Sequence, residues 1–237
     1  MRTFSSILVA GGLLLAGCED KLEEHRKRMA AEHAQVQAIA EAHRAKAGAR
    51  LDQIETIAKG ALAAPKVTER ALTLDGELTL KTRLGAGGNV LLVRAESAAG
   101  GDTTIKIPRR MASDGGLGVL LEILDGGKAP SDMRPERAES SFEALESLPY
   151  LLVMRVHAYT PPSVQGADHF TPARLDADAL LFDLETQKQV GALPLRLVQD
   201  GQAITNLRAS DEGQSKSVES TFVSRVERAL KDYLARR

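Results

Sequence analysis

The sequence predicts an α+β fold, and three observations carry this prediction. The proline-free segment 19–63 is rich in Ala, Glu, Lys, Arg, Gln and Leu, which are strong helix formers. Several apolar runs after residue 65 have the length and composition of strands. Segment 217–236 repeats its apolar residues at helical spacing. Strand runs interspersed with a few helices indicate a mostly antiparallel sheet that is covered by helices on one face.

The composition limits the possible classes of protein. Hydrophobic residues make up 43% of the chain, which indicates a packed core and excludes general disorder. The chain has one cysteine, so an intramolecular disulfide cannot stabilise the fold. A net charge of −1 without a basic cluster gives no electrostatic footprint for nucleic acid, which is therefore not expected as a partner.

The first helix has an apolar stripe of seven-residue spacing that runs through Leu22, Met29, Val36 and His43. Polar residues interrupt the seam of a possible coiled coil, namely His25, Glu32 and Lys46, so a stable helical dimer is not expected. A free helix of about 40 residues would reach about 60 Å. Two interpretations stay open: the helix is a spacer, or it docks on its own domain.

The next segment contains leucines at even positions, which place them on one face of an extended chain. They are Leu72, Leu74, Leu78, Leu80 and Leu84. Asp75 and Gly76 indicate a turn within this run. We expect either a hairpin with a three-residue loop or one strand bent by a bulge, because both keep the leucines on one face. Further strands are predicted at 89–96 and 103–107.

The remaining elements follow from apolar runs and their boundaries. Helices are predicted at 117–124 and 136–148, with a loop at 125–135 between them, and the almost continuously apolar run 150–159 predicts a buried strand. A long loop at 160–172 precedes a hairpin of strands 175–184 and 190–198. An edge strand at 203–208 and a closing amphipathic helix at 217–236 complete the predicted domain.

The N-terminus has the pattern of an export signal. Met1 and Arg2 supply a basic start, and an apolar run from Ile7 to Leu15 follows it. This run is shorter than the roughly 20 residues that span a bilayer, and small residues come after it. The run ends in the tetrapeptide Leu15-Ala16-Gly17-Cys18.

This tetrapeptide resembles the lipobox of bacterial lipoproteins. The resemblance implies cleavage between Gly17 and Cys18, a diacylglyceryl group on the Cys18 sulfur, and a further acyl chain such as palmitate on the new amino terminus. Each buried methylene contributes about 0.8 kcal/mol, so several chains form a lasting membrane anchor. The implied organisation is a signal peptide at 1–17, a lipid-anchored helical stalk at 18–64 and a periplasmic α+β domain at 65–237.

The resemblance also favours one membrane over the other. In lipoproteins of enteric bacteria, an aspartate directly after the cysteine favours retention in the inner membrane. Glu19 occupies that position here and Asp20 follows it. The resemblance therefore implies the outer membrane rather than the inner one, with the domain facing the periplasm.

Polar residues in the predicted helix and strands do not converge on a metal site. His25, His33 and His43 are spread around the first helix, so we expect them to be solvated rather than to bind zinc. Asp176 and Asp178 are two apart on a strand and point the same way. They could bind a cation, but a solvent-facing edge is the commoner explanation. No metal or cofactor is therefore predicted.

The segment with the strongest contact chemistry is the loop after the apolar strand, where a possible binding loop comprises His157, Tyr159, His169 and Phe170. Ser163 and Asp168 lie nearby, but no nucleophile-elbow sequence surrounds the serine. The leading hypothesis is a non-enzymatic envelope lipoprotein whose domain binds a periplasmic protein or a cell-wall partner. The competing hypothesis is a lipid-anchored hydrolase or small-ligand-binding protein that uses the loop with His157 and His169.

Overall fold

The structure is a computed structural model that describes residues 10–74, 76–81, 84, 87–95, 117–127, 130, 133–165, 169–199 and 211–235. The predicted strands at 103–107 and 203–208 lie outside the described residues. In chain order the elements are α1 (Ala10–Ala63), β1 (Ala71–Leu72), β2 (Val90–Ala95), α2 (Leu117–Leu124), α3 (Pro135–Glu146), β3 (Tyr150–Thr160), β4 (Ser163–Gln165), β5 (His169–Thr171), β6 (Arg174–Asp183), β7 (Gln189–Val198) and α4 (Asp211–Ala235).

The main sheet has five strands in the order β1-β7-β6-β3-β2. Strands β2 and β3 are parallel, and every other pair is antiparallel. Helices α2 and α3 lie in the connection between the parallel strands, which need a long crossover because a tight turn cannot join them. The α+β class and the mostly antiparallel sheet are therefore confirmed.

Helices cover both faces of the sheet, so the prediction of helices on one face was wrong. Helices α1, α2 and α3 pack on one face over residues such as Leu91 and Val153. Helix α4 packs on the other face over Leu92, Leu152 and Met154. The physical reason is that β2 and β3 carry apolar side chains on both sides, and each side must be shielded from water.

Helix α1 docks on the domain through its second half. Residues 21–28 are exposed, whereas the apolar stripe from Val36 to Ala61 is buried in the core. Polar side chains of α1 also bind the ends of neighbouring elements: Gln37 donates to the Gly127 carbonyl at 2.9 Å, and Arg44 donates to the Leu124 carbonyl. The docked interpretation therefore holds for the second half, which rules out a free spacer of about 60 Å.

Asp75 of the predicted hairpin lies outside the described residues, and the described residues on either side of it pair with other parts of the sheet. β1 pairs with β7 at one edge of the sheet, and Leu80 forms a parallel bridge with Val90 at the opposite edge. The intervening segment crosses the sheet on the α4 side, where Leu78 and Leu80 are buried. Leu72, Leu74, Leu78 and Leu80 share the apolar environment of α4, as predicted, but Leu84 is buried on the opposite side with α1, so the prediction of one face for all five leucines was wrong.

The segment 160–172 was predicted to be a loop, and this is wrong in part. It contains a small antiparallel hairpin in which β4 pairs with β5. The strands are only three residues long and carry no continuous apolar run, so their pattern was too short to be recognised. The predicted helices α2, α3 and α4 and strands β2, β3, β6 and β7 are present at the expected places.

Candidate functional site

A charged pair lies inside the sheet, in strands that are otherwise apolar. Arg155 on β3 is directly opposite Asp178 on β6, and both side chains are buried. The Arg155 Nε donates to Asp178 Oδ1 at 2.6 Å, and Nη2 donates to Oδ2 at 2.6 Å. This two-bond geometry matches the fork of the guanidinium to the carboxylate, which gives strong and directional pairing.

The same arginine binds the C-terminal end of α1. Its Nη1 donates to the carbonyls of Ala61 at 2.7 Å and Ala64 at 2.6 Å, and its Nη2 donates to Pro65 at 2.9 Å. The last carbonyls of a helix lack partners within the helix and carry partial negative charge, so a cation stabilises them. Arg155 therefore joins the end of α1 to the middle of the sheet.

Asp178 receives two further donors. The backbone N–H of Val67 donates to Oδ2 at 2.9 Å, and His157 Nε2 lies 3.0 Å from the same oxygen. Burial favours the neutral acid, but the bonds from Arg155, Val67 and His157 outweigh it and hold the pKa of Asp178 below its ordinary value. Three of the four contacts fall on Oδ2 and one falls on Oδ1, and the carboxylate is fully buried, so it is held in place as an ionised acceptor out of reach of solvent.

The rim of this cluster is formed by a second ion pair. Lys66 Nζ lies 2.5 Å from Asp176 Oδ2, and this bond lowers the pKa of Asp176. We call Arg155, Asp178, His157, Lys66 and Asp176 the polar junction. Asp176 and Asp178 do point the same way, as predicted, but Asp178 is fully buried and is not part of a solvent-facing edge.

A β-bulge separates two of the residues that were assigned to the binding loop. The register of β3 against β6 shifts between Val156 and Ala158, so His157 is the extra residue. His157 points to Asp178 on the α1 side of the sheet, whereas Tyr159 stacks on Phe222 of α4 with ring centroids 6.3 Å apart. The structure therefore places His157 and Tyr159 on opposite faces.

The other two residues of that loop, His169 and Phe170, lie in β5, and their side chains lie outside the described part of the chain. Gly17 and Cys18 lie within α1, and the side chain of Cys18 is likewise outside the described part of the chain. Among the described residues, no cluster of His, Cys, Asp and Glu could hold a metal ion. No helix in the same residues is long and apolar enough to cross a membrane.

One histidine was assigned wrongly as solvated. His43 is half-buried between α1 and α3, where its ring stacks on Phe142. Its Nδ1 is 2.6 Å from Glu146 Oε1, and its Nε2 is 3.0 Å from Glu139 Oε1. Burial lowers its pKa, but the two carboxylates together outweigh this and raise the pKa of His43 above its ordinary value.

Sequence reasoning missed Arg155, the residue with the most contacts in the polar junction. A signal existed, because an arginine inside the run Leu151–Val156 must be buried and needs a partner. An aspartate inside the apolar strand 174–183 carries the same signal. What the sequence lacks is the register that sets these two residues opposite each other.

No family model matches the chain, and no curated protein matches it. Among solved structures, a point variant of the PelC dodecamer from Paraburkholderia phytofirmans is 13% identical with a TM-score of 0.31, and the match covers 71% of this chain and 96% of that one. Another PelC dodecamer from that organism is 14% identical with a TM-score of 0.29, over 62% and 87% of the two chains. Protein XCC0632 from Xanthomonas campestris is 10% identical with a TM-score of 0.29, over 69% and 86%. These likenesses are distant.

Proposed function

We propose that the chain is a lipid-anchored envelope protein whose α+β domain binds a periplasmic protein or a cell-wall partner without catalysing a reaction. The observation that carries the proposal is the tetrapeptide Leu15-Ala16-Gly17-Cys18 behind a basic start and a short apolar run. The signal peptide is removed before Cys18, and acyl chains on Cys18 hold the mature protein in the membrane.

The docking of α1 supports a short connection between the anchor and the domain. Glu32 is paired with Arg134, which directly precedes α3, and residues 21–28 are exposed. We call residues 18–31 the arm. Its 14 residues span about 20 Å as a helix, so the domain stands close to the lipid surface while remaining clear of it.

The geometry of the polar junction supports binding rather than catalysis. The carboxylate of Asp178 is fully buried and bound by Arg155 and Val67, and His157 is turned towards it. A general base needs a free lone pair within reach of the proton that it removes. The described residues near this loop therefore support a structural role for His157. We assign recognition of the partner to the exposed surfaces of the domain.

The anchor is tested by replacing Cys18 with alanine in cells fed a labelled fatty acid. We expect the Cys18→Ala chain to remain uncut and unlabelled, because both steps require the thiol. Leu22→Ala is the matched control, since Leu22 is 51% exposed on the arm and should be processed normally. A labelled, mature product from the Cys18→Ala chain would contradict the proposal.

The choice of membrane is tested by density-gradient fractionation. We expect the mature chain in the outer-membrane fraction, because Glu19 follows Cys18 where an inner-membrane retention signal has aspartate. The Glu19→Asp variant should shift towards the inner membrane. Recovery of the unaltered chain in the inner-membrane fraction would reject this part of the proposal and leave the lipid anchor standing.

A further inference from the structure

The α1 side of the sheet continues past the end of α1. Residues opposite each other on neighbouring antiparallel strands share a face. The row Arg155-Asp178-Pro194 runs across β3, β6 and β7 beneath the end of α1, because Arg155 binds the Ala61 and Ala64 carbonyls there. Further rows on this face extend beyond the helix.

Two such rows form what we call the distal face. The first row joins Ala158, Asp176 and Arg196, and the second joins Thr160, Arg174 and Val198. All of these residues are exposed except Asp176, which is half-buried. Arg196 is 78% exposed and Val198 is 58% exposed. Cross-strand pairing therefore assembles a surface from three strands that α1 does not cover.

Positive charge is in excess on the distal face. Arg174 and Arg196 lie on it as diagonal neighbours, with Lys66 at its rim, while Asp176 is its one carboxylate. Lys66 is bound to Asp176, and Arg196 Nε is 4.0 Å from the same carboxyl group. Within the described part of the chain, Arg174 forms no ion pair. The two guanidinium groups thus have unused capacity for carboxylates.

The distal face lies at the pole of the domain opposite the arm. Along α1, Arg50 contacts the Glu146 carbonyl just before β3 begins, and Ala61 contacts Arg155 in the middle of β3. Helix α1 and β3 therefore run in the same direction. The end of β3 at Thr160 lies beyond the C-terminus of α1, and the arm leaves from the other end.

We propose that the distal face docks an acidic segment of a partner protein. Two arginines complement carboxylates, and exposed Val198, which is paired with Arg174 and lies two residues from Arg196 on β7, offers an apolar contact that side chains of a protein can meet. A face turned away from the arm is directed to a partner in solution rather than to the anchoring bilayer. This inference rests on the proposed function in that the domain acts by binding.

The test measures binding of a fluorescent peptide rich in glutamate and leucine to the purified full chain in non-ionic detergent. We expect the double variant Arg174→Glu/Arg196→Glu to bind at least about tenfold more weakly at low salt, because close like charges replace attraction. Arg26→Glu/Arg28→Glu is the matched control, since these arginines are exposed on the arm. It should bind as the unaltered chain does.

A neutral change separates the apolar contact from charge. Val198→Ser should weaken the same peptide several-fold, because it removes apolar area and leaves the net charge unaltered. Unchanged circular dichroism and unfolding midpoints would show that the exposed substitutions leave the fold intact. No binding by the unaltered chain, or equal loss in the arm control, would overturn the proposal.

Two further probes address other polyanions. Tighter binding of polygalacturonate, or of phosphatidylglycerol vesicles, than of the peptide would overturn the assignment to a protein partner. The Cys18→Ala chain should bind the peptide unchanged. If the unaltered chain is lipidated but does not bind the peptide, the proposal for the distal face is rejected and the lipid anchor stands. If the chain binds the peptide but is never lipidated, the lipid anchor is rejected and the distal face stands.

Discussion

Arg155 is the residue through which the sheet holds the end of α1. Replacing it with methionine would leave Asp178 buried without its main partner and the α1 carbonyls without a donor. We expect Arg155→Met to lower the free energy of unfolding by about 3–5 kcal/mol near pH 7, as measured by urea denaturation. An unchanged unfolding midpoint would show that the bonds from Arg155 contribute nothing net.

The pH dependence of this variant provides a sharper test. The pKa of Asp178 is lowered in the fold, so its contribution is present above the ordinary carboxyl pKa of about 4 and is lost as pH falls below it. In Arg155→Met the buried acid prefers to be neutral. The difference in stability between the two proteins should therefore shrink on acidification. Arg196→Met, which alters an exposed arginine, is the control and should change little.

His43 gives a pH dependence of the opposite sign. A neutral imidazole has one N–H, yet both of its ring nitrogens face carboxylates, which favours the protonated form. Because its pKa is raised in the fold, its stabilisation is full below about pH 6.5 and is lost as pH rises through the folded-state value.

The His43→Gln variant tests this assignment by urea denaturation across pH. We expect it to be less stable by at most about 1 kcal/mol near pH 5.5, since partial exposure of Glu139 screens the pairing, and to approach the unaltered protein near pH 9. His25→Gln on the exposed part of α1 should show neither effect. A deficit that grows with pH would disprove the raised pKa.

At the scale of elements, α1 belongs to the core through small residues. Ala40, Ala47 and Ala58 are fully buried, which lets the helix approach the sheet and α3 closely. We expect Ala47→Leu to cost about 1–3 kcal/mol in unfolding free energy because the larger side chain overpacks this contact. Ala45→Leu, at an exposed position two residues earlier, should cost little. Equal stability of both variants would contradict docking.

The helices and the central strands could be predicted from the sequence because their signals are local. Apolar spacing and the residues that end each helix identified α3 and α4, and the continuous run at 150–156 identified β3. Pairing of distant segments has no local signal. The crossing of 73–80 to the far edge and the position of Arg155 opposite Asp178 depend on register, which arises only when the whole sheet assembles.

For the whole molecule, the arm and the docked half of α1 should differ in their effect on stability. We expect a chain that begins at Ala31 to unfold within about 0.5 kcal/mol of a chain that begins at Glu19, because residues 21–28 are exposed. A chain that begins at Gly48 lacks buried Val36, Ala40 and Ala47 and should lose several kcal/mol or fail to fold. Similar urea midpoints for both truncations would show that α1 is dispensable.

By itself, the sequence determined the α+β class and the long first helix, and it contains the short motif that ends at Cys18, because composition, spacing and short motifs are properties of neighbouring residues. The tertiary structure alone decided that α1 docks, that helices cover both faces, that a bulge separates His157 from Tyr159, and that arginines on different strands share one exposed face. Each of these depends on which distant residues become neighbours, and packing of both apolar faces of the sheet selects those neighbours.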